Sequence, residues 1–159
     1  MAQIPRSEED IQRLISERKE RLKELTCINQ TTQFIKENRP CEQTLNQIVR
    51  ILPTAWQYPE MTVARIRLDE KNYLSPGFRE SHWKLSQRFT TIDNRSGSIE
   101  IFYLKEFSEL DEGPFLKEER HLIDNLSSII CNYLNSIQAH KLLKKSVDED
   151  TIRQEISQF

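Results

Sequence analysis

Apolar residues recur at alternating spacings of four and three near the start of the chain: Ile11, Ile15, Leu22 and Leu25, with Arg18 holding the intervening place. The rhythm continues through Ile28, Thr32 and Ile35, so one helix is expected over residues 7–38. Ser7 supplies a capping oxygen, and Glu8, Glu9 and Asp10 put negative charge at the positive end of the helix dipole. Pro40 ends the pattern, because proline disfavours helical geometry in the residue before it. Some thirty residues of helix measure about 45 Å at a rise of about 1.5 Å per residue. That is longer than a small domain is wide, so the first half, residues 1–20, is expected to project. A projecting seam of Ile and Leu calls for a partner helix; the alternative is a frayed arm.

A second helix is expected over residues 42–52, where Leu45, Ile48, Val49 and Leu52 share a face and Pro53 follows. Beyond an aromatic loop the period changes from helical to alternating. Thr62–Leu68 reads as a strand with Ala64, Ile66 and Leu68 on one side and Val63, Arg65 and Arg67 on the other. Residues 72–78 suggest a short strand broken by Pro76-Gly77, and residues 83–92 a further one with Leu85 and Phe89 facing inward. Asp93-Asn94-Arg95-Ser96-Gly97 is a turn, since Asn and Gly tolerate positive φ. Residues 98–104 follow as the last strand, and such short links predict an antiparallel sheet. A long helix is expected from near Pro114 to about Lys145, with Leu122, Ile123, Leu126, Ile129, Ile130, Tyr133, Leu134 and Ile137 on a broad apolar face. Ser146-Val147-Asp148-Glu149 resembles a capping box, so residues 146–159 read as a linker or a short separate amphipathic helix.

Composition narrows the possible partners. With 36% hydrophobic and 30% charged residues, the chain fits a compact core carrying solvated helical arms. Its 23 basic and 25 acidic residues are well mixed and sum to −2, which lacks the one-sided positive field that nucleic-acid binding needs. No stretch approaches the ~20 apolar residues that span a bilayer, and no apolar leader opens the chain; membrane insertion is not expected and a cytoplasmic location is. Cys27, Cys41 and Cys131 are too scattered for a disulfide framework or a zinc site, and core packing is expected of them.

Candidate chemistry is sparse. Alternation brings Arg65, Arg67, Lys84 and Arg88 to one sheet face near Glu100, with Trp56 and Tyr58 available as an aromatic wall. Two readings follow: a floor for a small anionic effector, or a solvated face of cross-strand ion pairs. His82, His121 and His140 lie in separate elements, and three glycines cannot build a phosphate loop. Neither a catalytic constellation nor a cofactor is expected. Cys27 and Cys131 fall on the two long helices, where apolar burial makes a thiol inert.

The order helix, helix, antiparallel strands, long helix is the plan of a GAF domain, and particular stretches strengthen the likeness. Pro53-Thr54-Ala55-Trp56-Gln57-Tyr58-Pro59-Glu60 with Val63-Ala64-Arg65-Ile66 resembles a subgroup of GAF domains in bacterial signalling proteins, often placed before histidine kinases. Gly97-Ser98-Ile99-Glu100-Ile101-Phe102-Tyr103-Leu104 and Glu112-Gly113-Pro114-Phe115-Leu116-Lys117-Glu118-Glu119-Arg120 look like its last strand and the start of its final helix. The resemblance spans roughly residues 20–140. It implies an α+β fold: a sheet of four or five strands, helices on one face, and a GAF-like domain over residues 21–145. It further implies a non-catalytic sensory module of a two-component or related system, relaying a signal to an output domain or kinase. The expected homodimer pairs its terminal helices as a coiled coil, in a parallel bundle across a twofold axis, through Ile11, Ile15, Leu22, Leu25, Ile130, Tyr133 and Ile137. Only residues 69–81 are available for the helical cover that ligand-holding GAF domains carry, which leaves open a pure assembly module. A cysteine-based redox enzyme on the same scaffold is the third reading.

Overall fold

The computed structural model describes residues 7–157, and side chains as far as residue 154; the expectations on residues 1–6, 158 and 159 lie outside this range. The chain is α+β. Helix α1 (Glu8–Lys36) and helix α2 (Cys41–Ile51) come first, then two 3-10 turns, Leu52–Ala55 and Pro59–Met61. Strands β1 (Thr62–Leu68), β2 (Lys71–Leu74), β3 (Trp83–Thr90) and β4 (Ser96–Tyr103) precede helix α3 (Lys117–Ser157).

Local chemistry sets these boundaries. The Ser7 hydroxyl accepts from the Asp10 N–H at 3.2 Å, and Asn38 takes a positive φ of 55° just past the end of α1. Proline closes α2 as expected, yet the chain tightens into a 3-10 turn there instead of leaving the helical path. α3 runs unbroken through Ser146–Asp150, where the capping-box pattern suggests a new start. Ser146 and its neighbours through residue 154 are exposed there on a continuous helix.

The four strands form one antiparallel sheet in the order β2-β1-β4-β3. Ala64, Ile66, Leu68, Leu85, Phe89, Ile99, Ile101 and Tyr103 join α2 and α3 in a single core, so these helices cover one face. Gly97 sits opposite Phe89 in this register, and a methyl group added there would collide with the Phe89 ring. Gly97→Ala is therefore expected to cost about 1–3 kcal/mol by overpacking, measured as a fall in the urea midpoint. A midpoint at or above the parent's would show that the ring swings aside freely.

α1 and α3 run in the same direction. Near the start of α3, a cleft of about 890 Å³ is lined by Glu17, Glu20 and Glu24 of α1 and by Glu118 and His121. At the far end, Cys41, which begins α2, lies beside Tyr133 in the middle of α3. The first half of α1 and the last third of α3 thus leave the core at opposite ends.

Candidate functional site

The open sheet face is organised around a buried carboxylate. β-Alternation sends Arg65, Arg67, Lys84 and Glu100 to the side away from the helices, and Arg65 stands directly across from Glu100 in the β1–β4 register. Arg65 Nη2 donates to Glu100 Oε2 at 2.5 Å, Arg67 Nε lies 3.2 Å from Oε1, and Lys84 Nζ lies 3.9 Å from Oε2. The Ser98 hydroxyl adds a bond to Oε1 at 3.3 Å.

Residues 75–82 fold back over this face. The Ser75 hydroxyl accepts from the Ala64 N–H at 2.8 Å, and the Ser81 hydroxyl donates to the Tyr103 carbonyl at 2.5 Å, pinning both ends. Between them Phe78 meets Phe102 edge-on, and the Arg65 guanidinium lies 5.1 Å and 5.5 Å from these two rings. Glu80 accepts from Arg65 Nη1 at 2.7 Å. Arg65 and Glu100 are in consequence 6% and 4% exposed, so the first is no free cation. The expected solvated face of ion pairs is half right: the pairs form, but the central one is covered. An anion floor would have to displace Glu80 and compete with Glu100. Arg67, Lys84 and Arg88 remain open to solvent.

The aromatic wall is corrected outright. Trp56 is fully buried in the helix-side core, and Tyr58 stacks on Phe107 at 3.7 Å and meets Tyr103 edge-on. Both lie on the opposite side of the sheet from Arg65, because the 3-10 turns carry the loop under α1, where Lys23 Nζ reaches the Trp56 carbonyl at 3.4 Å.

A second polar hub went unread in the sequence. Glu119, 2% exposed in the first turn of α3, accepts four hydrogen bonds: Leu116 N at 2.9 Å, Gln57 N at 3.1 Å, Gln57 Nε2 at 2.9 Å and the Tyr103 hydroxyl at 2.8 Å. It caps its own helix and ties that helix to the loop and to β4 at once. Burial lifts its carboxyl above the usual range, and the donors pull it part of the way back. The detectable signal was a glutamate three residues past the residue that opens the helix; its long-range partners had none.

No cysteine joins another. All three are free thiols; Cys27 is buried and its thiol is pushed up to about 12 by desolvation, and burial also raises Cys41. The Cys131 thiol donates to the Thr90 carbonyl at 3.4 Å. His82, His121 and His140 are exposed in separate places. Among the described residues, no group of three or more His, Cys, Asp and Glu is placed to hold a metal ion, and no helix is long and apolar enough to cross a membrane.

No family model, curated protein or solved structure matches this chain. The site must therefore be read from its own geometry.

The helix surfaces bear most directly on that reading. Ile11, Leu14, Ile15, Leu22 and Leu25 are between 45% and 60% exposed. At about 100° per residue they share one arc of α1 about 100° wide. Glu20, Cys27 and Thr31, which face the domain, lie on the opposite side. Of the other residues expected at a dimer seam, Ile130 is fully buried in the chain's own core, which corrects that assignment. Tyr133 is half-buried against the same core, and Ile137 is half-buried in a cleft beside Cys41 and Leu134, on the side where α2 packs.

Proposed function

We propose that this chain is a non-catalytic regulatory module of GAF type that self-associates through its long terminal helices and relays a signal along them within a cytoplasmic signalling protein. The observation that supports this reading is the two-sided character of α1: one side packs on the domain, and the other carries five large apolar residues that stay exposed among the described residues. An exposed apolar stripe of this kind marks an interaction surface. Because α1 and α3 are parallel and leave the core at opposite ends, a change in packing at the core reaches both ends through rigid helices, in the manner of a shear movement.

The covered Arg65–Glu100 pair favours a second reading, an assembly module with no small-molecule effector, since the most promising anion site already holds its own carboxylates. Light scattering after size exclusion tests self-association. The full chain is expected to run as a homodimer and a version lacking residues 1–20 to run with a markedly larger monomer fraction. A monomer in both at high concentration would remove the relay as described. Thermal shift with a panel of small carboxylates and phosphates then separates the two readings. Stabilisation lost in Arg67→Glu supports an effector, and no shift with any anion supports pure assembly.

A further inference from the structure

The proposed dimer leaves open what covers the α1 stripe, and the charges on the two helices address it. Two copies of α1 packed in parallel register set Arg18 against Arg18 inside the seam, with Lys19 and Arg21 crowding the same level. The last third of α3 offers a better match. It is exposed throughout residues 139–154, and Leu143 and Val147 are 64% and 62% exposed. At about 100° per residue, Leu143, Val147 and Asp150 share one face of α3. The interruption in this second seam is thus an acid, where the interruption in α1 is a base.

We infer that the α1 stripe is covered by α3 of a second copy, running antiparallel, with Leu25 against Leu143, Leu22 against Val147 and Arg18 against Asp150. The outer layers are seven residues apart on both helices, 18 to 25 and 143 to 150, and the middle layer is offset by one residue. Arg18 and Asp150 are both exposed in the single chain, so neither gives up a buried partner by turning to the other. Lys19 lies about 100° around α1 from Arg18, and Glu149 lies about 100° around α3 from Asp150, so these two neighbours repeat the base-to-acid match, while Arg21 and Arg153 occupy like places on the two helices. Since residues 18–25 of α1 lie beside the start of α3 and the last third of α3 leaves the core at the opposite end, a twofold axis across the helices brings each α3 onto the other copy's α1. The assembly closes as a dimer with two equal contacts.

This inference rests on the self-association just proposed, and a charge swap tests it apart from that reading. Sedimentation velocity over a concentration series is run on the parent, Arg18→Asp, Asp150→Arg and the double variant. Each single variant is expected to weaken dimerisation at least tenfold, and the double variant to recover most of that loss. A dimer insensitive to Asp150→Arg, or one that Arg18→Leu tightens tenfold while Asp150→Arg leaves it alone, overturns this pairing in favour of α1 on α1 and leaves the dimer standing. A parent monomeric at every concentration removes the self-association reading itself.

Discussion

Glu119→Ala is expected to lower folding stability by about 3–5 kcal/mol, because it takes the shared acceptor from one buried and three half-buried donors. Gln57 N, Gln57 Nε2, Leu116 N and the Tyr103 hydroxyl converge on that one carboxylate. For a domain of this size the loss corresponds to a fall in Tm of about 10 °C or more. Glu119→Gln is close in shape but wrong in chemistry: one of its two positions becomes an NH₂ facing donors, so about 2–3 kcal/mol should still be lost. A glutamine variant as stable as the parent would show that the four contacts tolerate an amide.

The same residue yields a pH test. Burial raises the Glu119 carboxyl above its unfolded value. Its contribution is then fully present below the unfolded value, at about pH 4, and is lost as pH rises through the folded one. Glutamine does not titrate there. The stability advantage of the parent over Glu119→Gln should narrow as pH is raised from about 4 towards neutrality. An advantage that widens instead would mean that the four donors outweigh burial. Melting both proteins across that range decides it, and every other titrating group cancels in the difference.

Glu100→Ala is expected to cost about 3–5 kcal/mol, because it strips the inner partner from a guanidinium that is nearly out of water. Arg65 would keep Glu80, which is itself largely solvated, while Arg67 and Lys84 would lose their common acceptor. The informative comparison is the double variant Arg65→Met, Glu100→Leu. It removes both charges and leaves apolar groups beside Phe78 and Phe102, so it should be closer to the parent than either single variant. Urea unfolding of the parent, Arg65→Met, Glu100→Leu and the double variant closes the cycle. If the double variant loses as much as the two singles added together, the residues act independently and the buried pair is not a unit.

The boundaries of most elements were legible in the residues. Ser7, Pro40 and Pro53 punctuate the chain close to where the structure does, and Asn94 turns it at a positive φ, since capping, fixed φ and positive φ are local constraints; Ser96 and Gly97, expected in that turn, instead open β4 and pair in the sheet. Alternation placed Ala64, Ile66, Leu85 and Ile101 inward for a similar reason: one solvated face requires it. The prediction failed at Ser146, where a local capping pattern met a helix with no tertiary reason to stop. It failed again at Ile130. A residue on a broad apolar face has no label saying whether its own sheet or another molecule will cover it.

Sequence alone determined the helical and extended periods, the sheet's inner face, the mixed charge and the unfinished seam of α1, because each depends on neighbours within a few residues. Only the tertiary structure decided where polar side chains find their partners. Arg65 and Glu100 are 35 residues apart and Gln57 and Glu119 62 apart. Which buried donor meets which acceptor depends on the packing of whole elements against one another. The same holds for Trp56 and Tyr58: their loop carried no period to say which side of the sheet it would join, and the path of the 3-10 turns beneath α1 settled that.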